Sequence, residues 1–154
     1  NDEIATTSIF GNFMAGSYFF ANQAYNANEL TINDQLYLLE SQIIHSLAEK
    51  GPCVIIGRCA DYVLREHKHT LNVFVHADIE FRKKRAVEHY GISPKKIEEF
   101  LHKQDKHRAH YHSFYTDQKW KAIENYDLTI DSSRFGVDAS VEMIIAAAKI
   151  KSGI

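Results

Sequence analysis

The sequence predicts an α/β fold, a parallel sheet flanked by helices. Three observations carry that prediction. The runs Cys53–Ile56 (CVII) and Leu71–His76 (LNVFVH) are short and continuously apolar, as strands covered on both faces are. Segments with helical periodicity and recognisable caps alternate with them, the order expected of parallel strands joined by right-handed crossovers. The chain has 154 residues, 45% of them hydrophobic, which suits one domain spanning residues 1–154.

The elements follow in order. Residues 1–30 are rich in Phe, Tyr, Ala and Asn without a clean period, and predict loop and short helix. Thr31 to Lys50 predicts a helix. Thr31 or Asn33 can cap it, Asp34 sits in its first turn, and Leu36, Leu39, Ile43 and Leu47 fall on one face. Gly51-Pro52 ends it. After the strand Leu71–His76, Asp78 caps a helix running to about Tyr90 and stopped by Gly91. Ser93-Pro94 starts another, with Pro at its first position, running to about His112 or beyond. Tyr126–Ile130 (YDLTI) predicts a third strand, and Gly136 to Ile150 a terminal helix. Three strands are few for such a sheet.

Composition excludes several classes. With 18 basic and 20 acidic residues the net charge is −2, so a general electrostatic grip on nucleic acid is not expected. No apolar run approaches the roughly 18–20 residues of a membrane span, and the start NDEIATTSIF lacks a basic signal-peptide region. Cys53 and Cys59 would lie roughly 15–20 Å apart along a strand and its extension, against the about 7 Å a disulfide needs. Two reduced thiols imply a cytoplasmic protein.

In open parallel sheets, ligands bind beyond the carboxyl ends of the strands. Arg58 and Asp61 follow the predicted strand Cys53–Ile56 at such a position, with Gly57 letting the backbone turn. The planar fork of Arg58 suits a phosphate, and Asp61 could hold a sugar hydroxyl or base amine, or orient Arg58. The alternative is a simple strand-end ion pair between them. Arg82 and Arg85 share a helix face, with Lys83 and Lys84 directed more outward. Asp105, Lys106, Arg108 and the aromatic residues after them suggest a mobile polar flap over a polyphosphate. His102, His107, His110 and His112 lack metal-ligand spacings and are expected at the surface. Gly11 to Ser17 has the glycine spacing of a phosphate loop but no lysine after the second glycine, and is rejected as one. Cations at three points near one sheet edge suit phosphoryl transfer, whose catalysis is positioning and charge neutralisation.

VIIGRCADYVL, LNVFVHADIEFRKKRAVEHYGIS, DKHRAHYHSFY and YDLTIDSSRFGVDASVEMI, in that order, resemble the cytidylate-kinase-like family of P-loop nucleoside monophosphate kinases from about Asn33 to Ile150. The resemblance implies a P-loop NTPase fold and ATP with Mg²⁺ as cofactors. Arg58 and Asp61 would bind the acceptor nucleotide. Arg82, Asp131, Ser132 and Ser133 would bind ATP, and Arg108, Lys106 and Arg85 would carry catalysis, with residues about 102–120 as the lid. Residues 1–30 would belong to the acceptor-binding insertion. The family's first strand, its glycine-rich loop with lysine, and the following helix would precede Asn1, so the polypeptide by itself is expected to be inactive.

The leading reading is therefore a phosphotransferase acting from ATP on a nucleoside monophosphate, with CMP one candidate. The alternative is a non-catalytic nucleotide-binding or interaction module on the same fold. The partners expected are nucleotides, with no nucleic acid and no membrane. Phe10, Phe13, Tyr18, Phe19 and Phe20 could bury against a second copy of the chain.

Overall fold

A computed structural model describes residues 31–153. The expectations for residues 1–30, including the rejected loop at Gly11 to Ser17, lie outside the described residues. The chain divides into two compact units, Asn1–Arg58 and Cys59–Ile154.

In the first unit, helix α1 spans Ile32–Lys50. Thr31 caps it by a reciprocal box: its hydroxyl accepts from the Asp34 amide at 3.2 Å, and the Asp34 carboxylate accepts from the Thr31 amide at 3.2 Å. The helix is where its caps predict, but its buried face is not. Ser41 and Ile44 are the buried residues, while Leu36, Leu39, Ile43 and Leu47 remain 43–53% exposed. The inner stripe is Tyr37, Ser41, Ile44 and Ala48, rotated by about one residue from the all-aliphatic stripe. Ser41 is tolerated inside because its hydroxyl donates to the Tyr37 carbonyl at 2.8 Å.

Cys53–Ile56 does not form the predicted strand. Val54 is 92% and Ile56 89% exposed. An apolar run becomes a strand only when a ladder partner takes up its amides and carbonyls, and no described strand pairs with this one. Gly57, Arg58 and Cys59 then follow with φ of 70°, 57° and 55°. Two consecutive side-chain-bearing residues in the left-handed region cost on the order of 1–3 kcal/mol each, a strain typical of ligand-contacting turns.

The second unit opens with a short helix that the sequence did not announce, α2 at Ala60–Val63. Strand β1 (Val73–His76) leads to α3 (Ile79–Tyr90). A 3-10 turn at Pro94–Lys96 leads into α4 (Ile97–Thr116). A second 3-10 turn, Ile123–Asn125, precedes β2 (Leu128–Asp131), and α5 (Ser132–Ser152) closes the chain. The fold is α/β and mostly helical, with β1 and β2 pairing in parallel, Val73 opposite Leu128 and His76 opposite Asp131. Ile130 on β2 is 2% exposed. Ala86 of α3 packs with Ile97 and Leu101 of α4, with Ile79 and Ile92 at the margin. No helix among the described residues is long and apolar enough to cross a membrane.

Several local expectations hold. The Asp78 carboxylate accepts from the Phe81 amide at 2.7 Å to start α3, and Gly91 ends it at φ 63°. Others are corrected. Ser93-Pro94 begins the 3-10 turn rather than the α-helix itself. Lys83 is directed across the surface toward α4, its ammonium 2.6 Å from Glu98 and 2.9 Å from Glu80, which ties α3 to α4. Those hydrogen bonds raise the lysine above its ordinary value and lower Glu98 below its own.

Gly136 breaks α5 near its start with φ 76° and ψ 172°, a region reserved for glycine. The break separates the first turn, which follows β2 directly, from the long remainder. Gly136→Ala is expected to destabilise the protein by about 1–3 kcal/mol in chemical denaturation, with little change in denaturant sensitivity.

Candidate functional site

The two strands end side by side, and the residues just beyond them are cross-linked. The Ser132 hydroxyl donates to the His76 carbonyl at 3.0 Å. The Ser133 hydroxyl accepts from the Asp78 amide at 3.2 Å and donates to the Asp131 carboxylate, which also accepts from the Ser133 amide at 3.0 Å. These bonds hold the carboxyl of Asp131 below its ordinary value, the Ser133 hydroxyl contributing most. Asp131, Ser132 and Ser133, expected at a nucleotide, thus hold the two strand ends together. Asp131 also lies 3.9 Å from the Arg134 guanidinium.

Beside this rim, two predicted arginines converge on one carboxylate. Arg82, one turn into α3, forms a bidentate pair with Asp105 on α4, both bonds 2.8 Å. Arg108, one turn further along α4, donates to the same carboxylate. Arg108 also stacks its guanidinium 5.1 Å from the centre of the Trp120 ring. Burial alone would raise the acid of Asp105, but the bonds from Arg82 and Arg108 outweigh it and hold the carboxyl below its usual range. Arg85 and Lys106 flank the pair and form no ion pair or hydrogen bond among the described residues. Arg58 belongs to the first unit, where its guanidinium lies 3.4 Å from Glu40.

Asp61 has a partner that sequence reasoning missed. His112 is 4% exposed, and its Nε2 lies 2.9 Å from Asp61 Oδ2. The expectation that all four histidines sit at the surface is corrected for this one; His102, His107 and His110 are exposed. The missed signal is a spacing. Leu101, Asp105, Arg108, His112 and Thr116 are separated by four, three, four and four residues, so they share one face of α4. Phe74 packs against Trp120 and Tyr126, its ring centre 5.5 and 5.0 Å from theirs. The Tyr126 hydroxyl donates to the Trp120 carbonyl at 2.7 Å. Burial pushes its phenol up to about 12, with Asp61 and Cys59 adding to the effect. Both cysteines are free, Cys59 buried and Cys53 exposed. Among the described residues no three His, Cys, Asp or Glu side chains gather as a metal cage.

A separate cleft of about 400 Å³ opens at the opposite, amino ends of the strands, lined among others by Arg65, Lys68, Asn72, Asp127 and Lys151. Two of its charges pair with one another. Asp127 accepts from the Asn72 amide at 2.7 Å and from Lys151 at 2.6 Å.

Two outcomes follow from the arginine pair and its surroundings. Asp105→Asn removes the charge that both guanidinium groups share and is expected to cost about 2 kcal/mol near neutral pH. The folded acid is stronger than the unfolded one. The stabilisation is therefore complete above the ordinary value of 3.8 and fades as pH falls through the lower folded value. Urea denaturation of both proteins between pH 7 and 2 checks it: the gap between them should close only in the acid limb. Spectrophotometric titration should also find one tyrosine, absent in Tyr126→Phe, that ionises near pH 12 in the folded protein.

A search of curated sequences finds no match. Among solved structures, an uncharacterized protein from Eubacterium ventriosum is similar, with 30% sequence identity and a TM-score of 0.72, over 78% of this chain and 68% of that one. A sequence profile described as the cytidylate kinase-like family matches residues 2–134. That match begins well ahead of Asn33, where the motif resemblance starts, and takes in Arg58, Asp61, Arg82, Asp105, Arg108, Asp131, Ser132 and Ser133. With most of its length matched, its strands parallel, and Arg82 and Arg108 sharing Asp105, the chain belongs to the cytidylate kinase-like family.

Proposed function

We propose that the protein is a nucleoside monophosphate kinase-like phosphotransferase on a P-loop NTPase fold, moving the terminal phosphoryl group of ATP to a nucleoside monophosphate, with CMP the first candidate. The observation that carries this reading is the meeting of Arg82 and Arg108 at Asp105, beside the carboxyl end of β1. Two guanidinium groups already oriented by one carboxylate are preorganised donors for phosphoryl oxygens. Phosphoryl transfer asks for such positioning and little covalent chemistry.

In this reading Arg108, Lys106 and Arg85 neutralise charge as it develops on the transferring group. Lys106 and Arg85 are well suited, since neither is engaged by an acid among the described residues. Arg82 orients the nucleotide phosphates. Asp131, Ser132 and Ser133 form the wall beside the base of ATP, where backbone held by strand-end bonds gives a fixed surface. Arg58, on its strained turn, orients the acceptor phosphate, and Asp61 holds the acceptor's sugar or base. Asp61 Oδ2 is occupied by His112, which leaves Oδ1 for a donor on the nucleotide. Mg²⁺ would be held chiefly by the phosphates and water, in keeping with its preference for hydrated octahedral sites; it would neutralise phosphoryl charge. No side chain is needed as a general base.

A non-catalytic nucleotide-binding module is the second reading, favoured by one observation: Asp105 already satisfies both arginines, as a purely structural cross-link would. Turnover separates the two. In the full-length protein, Arg58→Ala and Arg108→Ala are each expected to lower turnover about 10²–10³-fold while retaining native circular dichroism. Near-normal turnover in both variants would overturn the kinase reading. A thermal-shift panel of nucleoside mono- and triphosphates identifies the acceptor, because a ligand bound only by the native state raises the melting temperature.

A further inference from the structure

We propose that His112 is a positioning residue for the acceptor site: it fixes the Asp61 carboxylate so that one oxygen faces the nucleoside monophosphate, and it couples that carboxylate to the helix carrying Asp105 and Arg108. The proposal rests on the reading above in which Asp61 holds the acceptor.

The geometry is that of a held carboxylate. An ionised carboxylate only accepts, so the Nε2 of His112, 2.9 Å away, carries the proton in their bond. The opposite side of the ring faces polar neighbours. Nδ1 lies 3.2 Å from the Thr116 hydroxyl and 3.4 Å from the Gln118 carbonyl. Thr116 is itself buried at 5% exposure, and its hydroxyl donates to the His112 carbonyl at 2.6 Å. The imidazole is therefore bonded at Nε2, has polar neighbours at Nδ1 and is shielded from water, which fixes its orientation. A ring held in this way has little rotational freedom to lose when a ligand binds, so Asp61 meets its ligand already oriented.

The second half of the proposal comes from helix register. Arg108 and His112 are four residues apart on one face of α4, about 6 Å along the axis. Asp105 and Arg108 point to the arginine pair from this face, and His112 points to Asp61 on α2. A single rigid rod thus carries the contacts to both halves of the reaction. Loading of the acceptor and placement of the phosphoryl-binding arginines become linked through α4, with no moving loop between them.

The experiment uses the full-length protein and CMP as probe, with affinity measured calorimetrically for CMP and separately for ATP. His112→Phe removes both ring nitrogens and is expected to weaken CMP at least tenfold while changing ATP affinity less than twofold. His112→Gln keeps an amide donor for Asp61 and is expected to recover most of the CMP affinity. Because His112 acts through Asp61, the double variant with Asp61→Asn should bind CMP no more weakly than Asp61→Asn alone. A long-range ¹H–¹⁵N spectrum of the wild type should show His112 protonated at Nε2, with the signal moving on CMP addition. Equal CMP affinity in His112→Phe and wild type, where Asp61→Asn loses it, overturns the positioning role. So does an His112 signal indifferent to CMP while other resonances shift. If His112→Phe does not fold, the spectrum and His112→Gln decide. A wild type that binds no CMP or other nucleoside monophosphate, or an Asp61→Asn variant that binds it normally, instead removes the acceptor reading on which this proposal stands.

Discussion

A parallel ribbon of two four-residue strands cannot hold a domain together by its own ladder, and the unit from Cys59 onward depends on acids placed at the ribbon's two ends. At the amino ends, Asp127 accepts from the backbone of Asn72 and from Lys151 near the end of α5. At the carboxyl ends, Asp131 organises Ser133, and Ser132 and Ser133 reach across to the residues following β1. A third acid, Asp105, joins α3 to α4 through Arg82. Each carboxylate is used more than once, so each removes several loose polar groups for a single charge. The carboxyl-end set has a second effect. It fixes where α3 and α5 begin, and so where Arg82 and the Asp131–Ser133 turn can stand.

The parts that were legible in the sequence are those governed by local chemistry. Thr31 with Asp34, Asp78 before α3 and Gly91 after it mark helix ends because caps satisfy backbone groups within a few residues. The parallel relation of the two strands follows from their alternation with helices. What failed was decided at long range. Cys53–Ile56 has strand composition, yet composition cannot supply a neighbour to bond with. In α1 the most apolar stripe is half-exposed, and the buried one passes through Ser41, because burial follows the surroundings and not the side chains alone.

The candidate site shows the same division. Arginines that suit phosphate were visible as residue types, and Arg82 and Arg108 do come together. Their shared acid was noted only as part of the flap, and His112 was assigned to the surface. Four histidines in eleven residues draw the eye toward metal chemistry. The spacing from Leu101 through Thr116 carries more information, because it places the one buried histidine on the same face as Asp105 and Arg108.

Asp105 also bears on how a nucleotide would enter. Where Arg82 and Arg108 receive phosphate, as proposed, its carboxylate is a placeholder anion supplied by the protein itself. The guanidinium groups therefore wait in line, their side-chain freedom already surrendered. The surplus positive charge at this point is one instead of two, which weakens attraction from a distance. Such a rim trades long-range pull for readiness on contact: an arriving polyphosphate finds its donors aimed and has only to share them with, or take them from, an acid that never leaves.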